Sequence, residues 1–420
     1  MLVEFRFRNW GCFFGEQTLN FNASSLKGRT ECVVETKFTT AKQVLPVAAI
    51  FGPNASGKSS ILSAVAFLRL AVRRSFSEKR DKPVVPRKYF KLVASGVRET
   101  SELELTFISD DTLFKFGFEC DSKSFVREWL YAYPNNRRQI WYERNGNDLT
   151  FGNNLKGPNA IVAGMVRDDV LYLSAASAAN HSQLDSVFNF IQKLKIETDF
   201  MVTPFEIEDD MQDQELDENA VRFLQFLDTG IIGYEKQPVK RSENQPDEKV
   251  LALMKAVSDL TGQDGDVSLK AKEYDVLFKH EGCEDGFLLR AHEESAGSLR
   301  LIKLLNSAFK TLESGGVLFV DELDASLHTR ASNQVMKLFL SQITNKNGAQ
   351  LIFTTHDTNL LSDKSLRRDE VWLVEKDRCG QSELYSASEF SLRYSDDLEK
   401  VYLDDRMGAV PPNLEFEWFA

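Results

Sequence analysis

The sequence predicts an α/β fold that has a mixed sheet with flanking helices, an antiparallel β subdomain near the N-terminus and a helical insertion. Three observations predict it. Apolar runs of strand length occur at 44–51, 316–320 and 351–353, and polar residues follow each run. Apolar and polar residues alternate over 1–23 and 101–150, as in half-buried strands, and helical spacing of apolar residues appears further along. With 420 residues, the chain can form one large domain with an insertion, or two domains.

The composition is that of a folded globular protein and excludes some classes of function. Hydrophobic residues make up 42% of the chain and charged residues 27%, and no apolar run approaches the ~20 residues of a membrane-spanning helix. The start has no signal-peptide core, so we expect a cytoplasmic protein. The net charge of −12 argues against non-specific coating of nucleic acid. Five scattered cysteines without a C-x-x-C pair predict neither a disulfide framework nor a zinc site.

The first residues predict a β-hairpin or meander at the edge of a sheet. Every second residue of 3–7 is apolar, a turn is expected at 9–11, and the alternation resumes at 17–21. The same period returns over 101–150, where we expect several further strands.

Residues 52–59, GPNASGKS, match the phosphate-loop pattern G-x-x-x-x-G-K-[ST] at every fixed position. An apolar strand enters this loop and an apolar-periodic helix leaves it, which is the context that the motif needs. The glycines permit a tight turn whose backbone N–H groups attract a phosphate. Lys58 adds a positive charge near the β- and γ-phosphates, and the Ser59 hydroxyl is suited to Mg²⁺. The predicted nucleotide contacts are Gly52, Asn54, Ser56, Gly57, Lys58, Ser59 and Ser60.

A basic segment follows in an otherwise acidic chain. It contains Arg69, Arg73, Arg74, Lys79, Arg80, Lys82, Arg87 and Lys88. Two interpretations stay open. The segment is either a solvated helix face and loop, or a nucleic-acid contact through Arg73, Arg74, Lys79 and Arg80.

The middle of the chain predicts an insertion. Apolar residues recur at helical spacing over 184–191 and 223–227, with an acidic loop at 206–218 and a linker-like segment at 236–249. The expected division is an N-terminal lobe of the nucleotide-binding head (1–175), a helical insertion (176–265) and a C-terminal lobe of the head (266–420).

Two apolar strands in the last third end in residues suited to catalysis. One leads into Asp321 and Glu322, and the other into His356. Because the carboxyl ends of parallel strands share one edge of a sheet, we expect these groups near the phosphate loop. We predict that Asp321 holds Mg²⁺ directly or through water, that Glu322 is the general base for an attacking water, and that His356 senses the γ-phosphate.

A small-residue turn at 294–300 opens an apolar helix and by itself predicts only a capped helix start. In order along the chain, however, the phosphate loop, this turn and the two strand ends resemble the ATP-binding-cassette heads of SMC, recombination-protein and OLD-like ATPases. The resemblance implies a signature turn at Ser295, Gly297 and Ser298, a Walker B strand at 317–322, a D-loop at 324–328 with nucleotide contacts from Asp324 and Ser326, and a switch histidine at His356. It also implies that two heads sandwich two ATP molecules, each phosphate loop facing the partner's signature turn.

The C-terminal part of the chain makes the resemblance more specific, because it is similar to one group of these ATPases. Residues 367–377, 382–386, 402–403 and 406–411 are similar to the tail of AAA15-type ATPases of phage-defence operons, of the RloA and AbiLi kind. Two departures stand out: the signature turn lacks the second glycine of the transporter form, and no glutamine-loop residue can be assigned. The carboxylates after 373 are too few for the metal cluster of a Toprim nuclease, so we expect an ATPase without its own nuclease.

The leading functional hypothesis is an ATP- and Mg²⁺-dependent switch in anti-phage defence, a homodimer or higher oligomer that controls a separately encoded toxic effector, a nuclease or toxin. One alternative is an ATPase of DNA repair or DNA-structure sensing that uses the basic segment. Another is a scaffold that assembles on ATP but scarcely hydrolyses it.

Overall fold

The structure is a computed structural model that describes residues 1–26, 29, 31, 33–77, 84–93, 99–197, 215–227, 229–238, 274–282, 287–325, 327–362 and 364–411. Several predictions fall outside these residues: most of the acidic loop, most of the linker-like segment, Ser326, and the basic residues Lys79, Arg80 and Lys82. The chain forms two compact units. The larger contains Met1–Phe200 and Ser307–Ala420, and the smaller contains Met201–Asn306.

The β-strands of the described residues are β1 Leu2–Arg8, β2 Gln17–Asn20, β3 Val34–Glu35, β4 Gln43–Val44, β5 Val47–Phe51, β6 Ser101–Ser109, β7 Thr112–Cys120, β8 Phe125–Tyr133, β9 Gln139–Asn145, β10 Asp148–Phe151, β11 Leu194–Glu197, β12 Ile231–Pro238, β13 Tyr274–His280, β14 Phe287–Arg290, β15 Val317–Val320, β16 Gln350–Thr354, β17 Val371–Lys376 and β18 Ser382–Ser386. The α-helices are α1 Lys58–Arg74, α2 Asn159–Ala163, α3 Tyr172–Ala178, α4 Asp185–Gln192, α5 Glu218–Phe226, α6 Ala296–Ser314, α7 Thr329–Phe339 and α8 Leu398–Leu403.

The N-terminal strands belong to a seven-stranded antiparallel sheet of the larger unit, in the order β10-β9-β8-β7-β6-β1-β2. The predicted hairpin is confirmed, since β1 pairs with β2 and Phe5 lies opposite Leu19. Phe5 and Phe7 are fully buried, as their alternation with polar residues predicts. The turn between the two strands contains Asn9 and Gly11 with positive φ values. The strands predicted over 101–150 are present as β6 to β10.

A second sheet of the larger unit carries the predicted site residues, in the order β11-β15-β16-β5-β17-β18. The first five strands are parallel and β18 is antiparallel to β17, so the predicted mixed sheet is confirmed. Strand β16 lies between β5 and β15. The carboxyl ends of these three neighbours therefore meet at one edge, although 265 residues of chain lie between the end of β5 at Phe51 and the start of β15 at Val317.

Helix α1 packs its apolar stripe into the core beside this sheet. Ile61, Leu62, Val65, Leu68 and Val72 follow the helical period and are fully buried. Full burial of such a side chain contributes about 1.5–3 kcal/mol. Burial of this stripe therefore fixes the rotation of α1, and with it the direction of the loop that precedes the helix.

The smaller unit contains α5 and a three-stranded antiparallel sheet in the order β12-β13-β14. The apolar residues Val276, Phe278 and Leu289 lie in its strands β13 and β14. Helix α5 begins after Asp217, whose carboxylate accepts hydrogen bonds from the N–H groups of Asn219 at 2.8 Å and Ala220 at 3.4 Å. This is the side-chain cap expected of an aspartate at a helix start.

Glu370 provides a test of how pH affects folding. It ends a short 3-10 helix, Arg368–Glu370, and its buried carboxylate accepts the N–H of Arg367 at 2.8 Å. Burial raises its pKa from the usual 4.5 to about 8. The folded state therefore holds a proton that the unfolded state releases, so the free energy of unfolding should fall as pH rises between these values, by at most about 1.4 kcal/mol per pH unit.

We expect Glu370→Gln to flatten this fall in stability, as measured by thermal unfolding between about pH 5 and about pH 8. Glu389→Gln is the matched control, because Glu389 makes the same cap to the N–H of Ser386 at 2.9 Å but is exposed. An equal change in slope for both variants would contradict the assignment to burial.

Candidate functional site

The phosphate loop leaves the carboxyl end of β5 and enters α1 at Lys58. Two of its residues must be glycine. Gly52 has φ 153° and Gly57 has φ 120°, both in the region that side chains disfavour. A Cβ at Gly52 would collide with the carbonyl oxygen of Val374, and one at Gly57 with the sulfur of Cys12. The fixed glycines of the motif are thus required by close packing as well as by backbone torsion.

Lys58 is the cation of this loop. Its side chain is buried, and Nζ donates to the carbonyl oxygens of Gly52 at 2.8 Å and Pro53 at 3.0 Å. Burial lowers its pKa to about 8, against the raising effect of three nearby carboxylates, Glu322, Asp321 and Asp324. The ammonium group is therefore still mostly protonated at neutral pH. The structure brings the predicted lysine and the predicted carboxylates together.

The three serines of the loop have different surroundings. Ser56 is buried, and its Oγ has no hydrogen-bond partner among the described residues. Ser59 and Asn54 are exposed, so both side chains can reach a ligand. Ser60 differs: its Oγ lies 3.7 Å from the sulfur of Cys12, behind the loop. Ser56 and Ser59 fit the predicted role better than Ser60 does.

The turn after β1 supports the loop from behind, which the sequence did not indicate. A Cβ on Gly11 would lie 2.7 Å from Ser60 Oγ, and the carbonyl of Cys12 accepts the N–H of Ser382 at 2.9 Å. The Ser382 hydroxyl in turn donates to the carbonyl of Ser56. The loop is therefore held between the turn after β1 and β18.

Thr354 connects Asp321 and Glu322, the two carboxylates predicted to act in the site. It is the last residue of β16 and is fully buried. Its hydroxyl donates to Asp321 Oδ1 at 2.6 Å and accepts the N–H of Glu322 at 2.7 Å. Asp321 is itself buried, with 4% of its surface exposed. Thr354 thus orients two groups. One is the carboxylate of Asp321, which lies near Lys58 of the phosphate loop, and the other is the backbone N–H of Glu322.

Glu322 and His356 face each other across the edge of the sheet. Glu322 Oε1 lies 3.8 Å from His356 Nε2, and each side chain is about one third exposed, so water can reach both. Glu322 has a φ of +48°. The N–H of His356 points at the carboxylate of Asp324, with 3.3 Å to each oxygen. Together with Asp321 and Thr354, these three residues form one connected group beside Lys58.

A comparison with protein families agrees with this geometry. The family described as "AAA domain, putative AbiEii toxin, Type IV TA system" matches residues 47–362, three quarters of the chain. The chain belongs to this family. The matched region begins with β5 and includes the phosphate loop, Asp321, Glu322 and His356. The protein is accordingly a P-loop ATPase, as the sequence predicts.

Two similar solved structures are an ATP-binding cassette, MJ0796, in a dimeric post-hydrolysis state with ADP and Pi, and cbiO1 from Clostridium perfringens, part of the transporter complex cbiONQ. The first is 12% identical, with 88% of this chain and 93% of the other covered and a TM-score of 0.25. The second is 10% identical, with 97% and 96% covered and a TM-score of 0.31. Scores this low support no argument about this ATPase. No curated protein matches the chain significantly.

The predicted signature turn of the ATPase lies in the smaller unit. Ser295 is exposed, and its Oγ accepts the N–H of Ser298 at 3.0 Å and lies 2.9 Å from the Ser298 hydroxyl. Helix α6 begins at Ala296. The predicted capped helix start is confirmed, and Gly297 lies in its first turn. The nucleotide contact of these residues remains a prediction.

The described part of the basic segment has structural roles in the ATPase. Arg73 and Arg74 lie exposed in the last turn of α1, where cations complement the helix dipole. Arg69 donates through Nε to the carbonyl of Gln192 at 3.2 Å, and Arg87 donates to that of Glu99 at 2.8 Å. These hydrogen bonds explain the presence of arginine at positions 69 and 87.

The residues at the site fit Mg²⁺ with a nucleotide. The described residues contain no group of three or more His, Cys, Asp or Glu side chains arranged for a metal ion. Mg²⁺ does not need one, because it is commonly held by one or two protein oxygens together with phosphates and water. Ser59 and Asp321 can supply those oxygens, and the unpartnered Ser56 Oγ and the N–H groups of the loop suit phosphate. Among the described residues of the ATPase, no helix has the length and apolar character to span a membrane.

Proposed function

We propose that this ATPase is a nucleotide-driven switch in anti-phage defence, in which ATP binding and hydrolysis between two heads control a separately encoded toxic effector, a nuclease or toxin. The observation that supports the ATPase part most strongly is the single group formed by Lys58, Asp321, Thr354, Glu322 and His356. Support for the biological role comes from the family description, which refers to a putative toxin of a toxin–antitoxin system.

In the proposed mechanism, the chain binds ATP through the backbone of the phosphate loop. Lys58 exchanges its hydrogen bonds to the carbonyls of Gly52 and Pro53 for bonds to the β- and γ-phosphates. Mg²⁺, held by Ser59 and Asp321, offsets phosphate charge when bound. Gly52, Asn54, Ser56 and Gly57 supply further contacts from the loop.

Glu322 and His356 act on the water and the γ-phosphate. The Glu322 carboxylate is accessible to water and can accept its proton, and the Thr354 hydroxyl fixes the backbone from which Glu322 extends. His356 can donate a ring N–H to a γ-phosphate oxygen, since its backbone is held by Asp324. Glu322 thus acts on the water while Thr354 holds its backbone, and His356 acts on the γ-phosphate while Asp324 holds its backbone.

The second half of the site is proposed to come from another subunit. The exposed Ser295 and the first turn of α6 present hydroxyls and a helix N-terminus, which together attract an anion. We propose that Ser295, Gly297, Ser298 and the D-loop residues Asp324 and Ser326 contact the ATP held by the partner's phosphate loop.

This proposal predicts that ATP doubles the mass of the protein in solution. Light scattering with a non-hydrolysable ATP analogue and Mg²⁺ should show a dimer for the wild type and a monomer for Ser298→Glu, whose added charge repels the γ-phosphate. Ser314→Glu is the matched control, because Ser314 is exposed at the other end of the same helix. An unchanged wild-type mass would contradict the two-head site, and dimers of Ser298→Glu would contradict the role of the turn.

A further inference from the structure

A cleft in the larger unit has no part in the ATPase site described above. Its lining includes Arg29, Leu361, Lys364, Arg368, Arg393 and Tyr394, and it encloses about 580 Å³, including space open to solvent. Leu361, which lines the cleft, ends the 3-10 helix Thr358–Leu361, and this helix begins two residues after His356.

Positive charge dominates this cleft, although the whole protein has a net charge of −12. Arg29, Lys364, Arg368 and Arg393 all line it. Within the described residues, none of these four forms an ion pair. The fifth basic residue, Arg367, differs: it is buried and held by Asp369 at 2.9 and 2.8 Å, so it forms the floor. Cations gathered in a cleft with low-dielectric walls focus their field on an incoming anion.

The acidic residues at the rim are engaged by the backbone. Asp396 accepts the N–H of Arg393 at 2.8 Å, and Asp397 caps α8 by accepting the N–H groups of Glu399 at 3.0 Å and Lys400 at 3.3 Å. Both carboxylates therefore have local partners that fix the loop carrying Arg393. Asp363 lies outside the described residues.

Tyr394 gives the cleft an aromatic face. It follows Arg393 in a turn closed by the N–H of Asp396 on the Arg393 carbonyl at 3.1 Å, and 67% of its surface is exposed. An exposed aromatic ring beside several arginines is the combination with which proteins bind single-stranded nucleic acid, since bases stack on the ring and phosphates pair with the cations.

We propose that this cleft, defined by Arg29, Lys364, Arg368, Arg393 and Tyr394, binds single-stranded nucleic acid. A phosphorylated peptide would use the cations but not the ring, and a membrane surface would require a protruding apolar face rather than a concave polar one. The site differs from the basic segment of α1, and it does not depend on ATP hydrolysis.

The test uses the full chain without nucleotide and a fluorescent oligothymidylate of about 12 nucleotides, followed by anisotropy. Arg393→Glu and Lys364→Glu should each weaken binding about tenfold and reduce the slope of log affinity against log salt by about one. Tyr394→Ala should weaken binding about tenfold, and Tyr394→Phe should bind as the wild type does. Among the described residues, no hydrogen bond is formed by the side chains of Lys364, Arg393 and Tyr394, so these substitutions should leave thermal unfolding unchanged.

Lys123→Glu is the matched charge reversal, on an exposed turn between β7 and β8. It should leave binding unchanged. The proposal is overturned if the wild type does not bind the oligonucleotide, if Lys123→Glu weakens binding as much as Arg393→Glu does, or if Tyr394→Ala has no effect. It is also overturned if Arg73→Glu with Arg74→Glu abolishes binding while the cleft variants retain it, or if a phosphoserine peptide binds more tightly than the oligonucleotide.

Discussion

Glu322→Gln is expected to reduce the rate of ATP hydrolysis by about 10²- to 10⁴-fold, the usual contribution of a general base, while ATP binding persists. Glutamine keeps the volume and the backbone hydrogen bond to Thr354 but cannot accept a proton from water. Because product formation stops while binding continues, the variant should also accumulate in its ATP-bound form. The measurements are phosphate release and retention of labelled ATP.

The control for this prediction is Glu383→Gln, which neutralises an exposed carboxylate on β18, the edge strand of the same sheet. It should leave turnover unchanged. If Glu322→Gln and the wild type hydrolyse ATP at the same slow rate, Glu322 is not the base. The protein would then fit the alternative of a scaffold that assembles on ATP without hydrolysing it.

Thr354→Val should lower turnover about 10- to 100-fold, the usual effect of losing a partner that orients a metal ligand. Valine has the shape of threonine but neither donates to Asp321 nor accepts from Glu322, so a buried carboxylate and a backbone N–H both lose a partner. Each lost hydrogen bond contributes about 0.5–1.5 kcal/mol, so thermal stability should fall as well.

The Mg²⁺ dependence of turnover separates positioning from general destabilisation. Thr354→Val should need more Mg²⁺ for half-maximal turnover, and Thr354→Ser, which keeps the hydroxyl, should restore both activity and Mg²⁺ dependence. A variant that is less stable but has an unchanged Mg²⁺ requirement would show that Thr354 only supports the fold.

The sequence predicted the local parts of the site because their chemistry is written in adjacent residues. The phosphate loop needs its glycines, lysine and serine within 52–59, and a strand ending in Asp321 and Glu322 is recognisable by itself. Parallel strand ends share one sheet edge, so even the proximity of these groups to His356 could be expected. The geometry around Lys58 agrees with that expectation.

The parts that sequence reasoning missed depend on contacts between distant segments. Thr354 is an ordinary residue at a strand end until β16 pairs with β15 so that Phe353 lies opposite Val320. Cys12 belongs to no motif in the sequence. Its sulfur nevertheless lies behind Gly57, because the turn after β1 packs on the phosphate loop. Neither pairing leaves a local pattern in the sequence.

The backbone conformation of Glu322 lowers the stability of the fold, while its side chain brings a carboxylate to the edge of the sheet. At φ +48° a residue with a side chain costs about 1–2 kcal/mol more than glycine, and glycine would relieve that cost. Glycine, however, would bring no carboxylate to the edge of the sheet. With the proposed role of Glu322 as general base, the protein keeps a less stable residue at the point where the attacking water loses its proton, and we expect the substitutions that most stabilise this turn to be those that abolish turnover.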